Sequence, residues 1–101
     1  METASDLCSK IVEKFATRDV YEIAEKCGVK IVYEKWFPVT FGEFDYHAKT
    51  ICVNENAEID TEKIIAHELG HFFVREFDLK ITGEEKFCDE FAAGLMKNCE
   101  S

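Results

Sequence analysis

The stretch IIAHELGHFF, residues 64–73, decides how this chain is read. It sets His67 and His71 four residues apart in an otherwise apolar run, with Glu68 directly after the first. On a helix, residues at i and i+4 lie one turn apart on the same face. Ile64, Ile65, Ala66, Leu69, Phe72, Phe73 and Val74 make such a helix a buried one, and buried polar groups need partners. The partner this spacing points to is a zinc ion. Two imidazoles can meet one ion at about 2.0–2.1 Å, and a catalytic zinc keeps three protein ligands and one position for water. Glu68 lies just off the histidine pair. It can reach that water without binding the metal, which is the place of a general base.

No histidine follows His71, so a carboxylate has to complete the set. The segment GEEKFCDEFAAGLM, residues 83–96, reads as a helix with an apolar stripe of Phe87, Cys88, Phe91, Ala92 and Leu95. Glu85 and Asp89 stand at i and i+4 beside that stripe. Glu85 is assigned to the metal and Asp89 to the second nitrogen of a ligand histidine, where a carboxylate orients the ring and sets its tautomer. Glu84 is a rival ligand, because its direction also falls within the stripe. Thr82 and Glu85 also have the spacing of a capping box, which would occupy Glu85 at the helix end.

Working outward, residues 3–16 have helical periodicity through Leu7, Cys8, Ile11, Val12 and Phe15. A second helix runs from an Asp19 cap to Cys27, with Gly28 as its stop. The period then changes. Residues 29–35 read as a strand that Pro38 breaks, FGEFDY (41–46) as a second, and TICVN (50–54) as a third, with a hairpin joining the last two. Asp60 or Thr61 caps the histidine helix, which runs to about residue 76, and the last helix runs from about 84 to 98. The order predicts an α+β fold: a small three-stranded antiparallel or mixed sheet packed on helices. The third strand is the expected sheet edge for an extended substrate.

With 101 residues the chain is expected to form one domain over residues 1–101. A net charge of −9 repels phosphate backbones and anionic membrane surfaces, so direct nucleic-acid and membrane binding are excluded from the reading. The five cysteines are odd in number and form no CxxC pair, which argues against a disulfide framework. The opening METASDLCSK has no apolar core and is not read as a signal peptide. No run of about 18 apolar residues occurs. The expected compartment is the reducing cytoplasm.

The chain as a whole resembles the minimal metallopeptidase domain of the ImmA/IrrE family of zinc peptidases. DVYEIAEKCGVKIVY is similar to the family's opening helix and strand, and GEFDYHAKTICVN to its sheet segment. IIAHELGHFF is similar to its zinc helix, and EEKFCDEFAAGLM to its E-x-x-A-[DN]-x-F-A-x-x-L-M segment. Cys88 stands where the family usually has alanine, Lys97 where a proline commonly follows the methionine, and the spacer from His71 to Glu85 is short. The resemblance implies a zincin-like domain with His67, His71 and Glu85 as zinc ligands, Glu68 as catalytic base and Asp89 as the outer partner of a ligand. It implies hydrolysis of peptide bonds, by analogy in a regulatory protein. The alternative is a zinc-binding interaction module, or one half of a toxin–antitoxin or phage regulatory pair, without peptidase activity. For the transition-state stabiliser the candidates are Tyr46 and His47 at the hairpin turn, with Tyr33 as a third; an ordinary turn histidine and half-buried tyrosine are the plainer reading.

Overall fold

The computed structural model describes residues 2–36 and 41–97. Pro38 and the expected helix end at Asn98 lie outside them. The elements are α1 (Ala4–Phe15), α2 (Val20–Cys27), β1 (Lys30–Glu34), β2 (Gly42–Asp45), β3 (Thr50–Asn54), α3 (Thr61–Glu76) and α4 (Glu84–Met96). This is the α+β order read from the sequence, with a mixed three-stranded sheet.

Local chemistry explains where the helices start and stop. Thr3 and Asp6 form a reciprocal capping box at the head of α1. Asp19 caps α2 through the Tyr21 amide, and Gly28 ends it at φ 74°, a left-handed conformation that costs glycine little. Asp60 caps α3 through the Glu62 amide. At α4 the cap is Gly83, with no side-chain cap bond. The alternative capping box of Thr82 and Glu85 is therefore not formed, and the Glu85 carboxylate is left for other partners.

The sheet order is β1-β3-β2, with β1 parallel and β2 antiparallel to β3. β3 is thus the central strand. The expectation that it forms the edge for an extended substrate is corrected: the edges are β1 and β2. The hairpin of β2 and β3 was legible in the turn residues, whereas the parallel return of β1 to the far side of β3 has no signature in local periodicity.

Ile51 and Val53 turn one face of β3 inward and are fully buried. They join a single core with Leu7, Ile11, Ile23, Leu69, Phe73, Phe91 and Leu95. α3 runs through the middle, packed on α2, α4, β2 and β3. That position explains why apolar residues surround it on nearly every side. All five residues of the stripe expected on α4 are buried.

Two glycines set the closest approaches of the backbone. A Cβ on Gly70 would lie 3.0 Å from Cys88 Sγ and 3.1 Å from Cys88 Cβ, so α3 and α4 cross at a point with no room for a larger pair. A Cβ on Gly42 would lie 2.7 Å from Ile64 Cγ2 and 3.0 Å from the Cys52 carbonyl oxygen. β2 is thereby laid directly against α3. Among the described residues no helix is long and apolar enough to cross a membrane.

Candidate metal centre

The crossing at Gly70 determines what the histidines meet. Gly70 sits in the turn between His67 and His71, and Cys88 in the turn between Glu85 and Asp89. Bringing these two turns together places the first turns of α4 over the histidine face of α3.

His67 Nε2 lies 3.1 Å from Glu85 Oε1, and His71 Nε2 lies 3.0 Å from Glu85 Oε2. The opposite nitrogens are held as well. His67 Nδ1 is 2.7 Å from Asp89 Oδ1, and His71 Nδ1 is 2.7 Å from Glu84 Oε2. The structure thus brings His67, His71, Glu85 and Asp89 together. It also gives Glu84 a place that sequence reasoning treated only as a rival to Glu85: it is the partner of the second histidine. The signal was present, since the direction of Glu84 falls within the inward stripe of α4.

These distances test whether a metal suits the residues. The ring nitrogens of His67 and His71 and a Glu85 oxygen lie within 4.8 Å of one another. Donors around a tetrahedral zinc at about 2.0–2.1 Å stand about 3.3 Å apart, close to the separations found here. A neutral imidazole has one N–H to donate, while an ionised carboxylate only accepts. Each ring has carboxylate oxygens on both sides, so once Nδ1 donates outward, Nε2 and Glu85 face each other lone pair to lone pair. A cation between them relieves that opposition and offsets the charges of Glu68, Glu84, Glu85 and Asp89. The residues fit the ion.

A second grouping, His71, Glu84 and Cys88, is also close enough to hold an ion. Cys88 argues against it. Its side chain is fully buried. Burial first, then the nearby Glu84, Glu85, Glu68 and Asp89 carboxylates, push the thiol pKa far up in the metal-free protein, so an ion bound there would have to displace a tightly held proton.

Glu68 is buried, at 8 % exposure, beside this cluster. Burial raises its pKa above the usual carboxylate value; His71 and His67 pull it down, and Glu85 and Glu43 add to the rise. Glu68 lines two clefts. The larger, about 660 Å³, opens on the His67 side between Phe41, Gly42, Ile59, Lys63, Ile64, Glu85 and Asp89. The smaller, about 300 Å³, opens on the His71 side between Phe44, Arg75 and Glu84. Both border the edge strand β2, through Gly42 and Phe44.

The expected transition-state groups do not meet at these clefts. The Tyr46 hydroxyl donates to Glu76 Oε1 at 3.1 Å, and its ring lies under the Arg75 guanidinium at 4.6 Å. His47 is exposed at the turn, its ring centroid 6.4 Å from that of Tyr46. Tyr33 lies on β1, at the far edge of the sheet. None of the three lines either cleft. Arg75 and Lys63 do, and sequence reasoning passed over both. Arg75 follows His71 by one helical turn, and that spacing was the available signal.

A small α+β domain that sets an HExxH helix against a mixed sheet, with carboxylates converging from the next helix, defines the class of zincin-like metallopeptidases. The chain belongs to the peptidase family of the IrrE N-terminal-like domain, whose family model matches residues 24–99, from α2 to beyond α4. Comparison with curated proteins gives no match.

Proposed function

We propose that this protein is a zinc-dependent peptidase, with His67, His71 and Glu85 holding the ion and Glu68 serving as general base. The observation that carries this reading is the convergence of both histidine Nε2 atoms on the Glu85 carboxylate, with Glu68 buried alongside and open to both clefts. Zinc bound there supplies a Lewis acid that polarises a carbonyl oxygen and lowers the pKa of water.

The chain's own groups do the rest. Asp89 and Glu84 accept the Nδ1 protons of His67 and His71, which fixes the tautomers and aims each Nε2 inward. Glu68 accepts a proton from the attacking water and passes it to the leaving amine. Its burial beside the ligand histidines, at the meeting of both clefts, keeps its carboxylate where it can serve in both steps. Among the described residues β2 has no strand on the side away from β3, and it borders both clefts that Glu68 lines, so an extended peptide adding to that edge would run alongside them. Gly42 supports this role, since its missing side chain lets the strand lie close to α3.

The substrate class in this reading is an extended segment of a regulatory protein, and a regulatory partner protein presents or controls it. The acidic surface disfavours direct nucleic-acid binding. The compartment in this reading is the cytoplasm, in keeping with Cys8, Cys27, Cys52 and Cys88 forming no disulfide among the described residues. The reading of a purely structural zinc site is weaker, because such sites are closed and thiolate-rich, whereas the donors here are two imidazoles and a carboxylate and the Glu85 side chain is 79 % exposed.

Native mass spectrometry of the purified protein tests the metal directly. One zinc per chain is expected, and its loss in His67→Ala and in His71→Ala. Zinc retained at full stoichiometry in either variant rules the site out.

A further inference from the structure

The smaller cleft is bounded by Phe44, Glu68, His71, Arg75 and Glu84. Arg75 is its one cation, in a chain with 21 acidic and 12 basic residues. An arginine so placed would ordinarily pair with a neighbouring carboxylate. Among the described residues Arg75 forms no ion pair within 4.0 Å and no side-chain hydrogen bond. Two carboxylates in its surroundings are engaged elsewhere: Glu84, which lines the same cleft, with His71 Nδ1, and Glu76 with the hydroxyl of the ring beneath Arg75.

What Arg75 does have is a platform. Its guanidinium lies 4.6 Å from the centroid of the Tyr46 ring. That ring is held by its bond to Glu76 and by edge contacts with Phe44, and it packs on Phe72. Stacking uses the face of a guanidinium and leaves its in-plane N–H donors available. Those donors form a fork matched to a carboxylate, which it binds through two parallel bonds. The platform also limits the rotamers of Arg75, so less side-chain entropy is lost on binding.

We infer that Arg75 is a specificity residue that selects peptides carrying a carboxylate on the His71 side of the scissile bond, either an acidic side chain or a chain terminus. This rests on the reading of the clefts as a peptide site. The volume of about 300 Å³ suits one side chain rather than a folded surface. The larger cleft on the His67 side is bounded by Phe41, Ile59 and Ile64, with Lys63 among them, and is the more apolar half of the groove. The two halves of the groove differ: Arg75 lies over the Tyr46 ring with Phe44 at its side, whereas Lys63 stands with Phe41, Ile59 and Ile64.

The test uses blocked pentapeptides that differ only in a central glutamate or glutamine, and an all-alanine peptide with a free C-terminal carboxylate. Each is titrated by NMR against Glu68→Gln protein, both metal-free and zinc-loaded, so that binding is read without turnover. The glutamate peptide is expected to bind about 5- to 10-fold more tightly than its glutamine twin, with the ratio falling as salt rises. In Arg75→Gln the ratio falls to about one, and Arg75→Glu favours a lysine peptide instead. The free-terminus peptide tells whether a terminal carboxylate serves as well as a side chain. Equal binding of the twins, binding of neither, or a preference that survives Arg75→Gln overturns the proposal. A lack of zinc would sink the peptidase reading separately, because the charge preference is also measured on the metal-free protein. In the zinc-loaded parent, an equal loss of kcat on every peptide in Arg75→Gln, without change in KM, would assign Arg75 to the transition state and overturn its role in selection.

Discussion

His71 Nδ1 and Glu84 Oε2 lie 2.7 Å apart, while the other nitrogen of the same ring lies 3.0 Å from Glu85 Oε2. Two adjacent acids on α4 thus grip opposite sides of one imidazole. Helical geometry permits this because the first turn of α4 runs across the ring, starting from Gly83, whose left-handed φ of 72° suits a glycine cap. Glu84 and Asp89 then play matching parts, one for each histidine.

That symmetry gives an order of damage to metal binding. Glu85→Ala removes a proposed ligand and is expected to cost the most zinc affinity. Asp89→Ala and Glu84→Ala each remove the partner of a ligand and should cost about 10–100-fold. Competitive zinc titration of the three variants measures this. An unaffected Glu84→Ala would mean that the 2.7 Å contact does not support the site.

Gly70 is expected to be intolerant of even one methyl group. A Cβ there meets Cys88 Sγ at 3.0 Å and lies 3.3 Å from its Cα, so relief requires backbone movement of α4. Gly70→Ala should cost about 1–3 kcal/mol in urea unfolding, although alanine is the better helix former. The same displacement would carry Glu84, Glu85 and Asp89 away from the histidines, so zinc affinity should fall with stability. A stable Gly70→Ala protein with unchanged affinity would show that the crossing does not set the site.

Glu68 carries a pH signature in the metal-free protein. Its folded pKa is raised, mainly by burial. A carboxyl with a raised folded pKa contributes stability that is complete below its unfolded pKa, about 4.3, and is lost as pH rises through the folded value. Glu68→Gln cannot ionise and escapes that loss. Thermal unfolding of metal-free parent and variant should therefore differ little near pH 4, with the variant melting higher at pH 7. A variant that is the less stable of the two at pH 7 would contradict the burial argument.

Much of this was legible in the sequence because short-range rules govern it. The i, i+4 spacing puts His67 and His71 on one face of α3 and Glu85 and Asp89 on one face of α4, and the structure sets the two pairs side by side. The Asp19 and Asp60 caps and the stop at Gly28 followed from side-chain and backbone chemistry. What escaped depends on long-range packing. The parallel pairing of β1 with β3 makes β3 central, and nothing in TICVN records which strands lie beside it. The pairing of Glu84 with His71 depends on how α4 crosses α3, which Gly70 and Cys88 set jointly from 18 positions apart. Tyr46 and His47 were attractive by residue type and by their place at the hairpin turn, but Tyr46 is drawn to Glu76 and Arg75 and neither residue lines the clefts beside Glu68.

The central claim is hydrolysis that depends on Glu68, and its most direct measurement is one side-by-side assay. Parent and Glu68→Gln proteins are loaded with zinc, their metal content is confirmed, and each is incubated with an unstructured peptide library whose products are read by mass spectrometry. The account predicts one zinc per chain in both proteins, cleavage by the parent, and a rate at least about 100-fold lower in the variant. Cleavage at equal rates by the two, or no cleavage by a parent that carries its zinc, would contradict it.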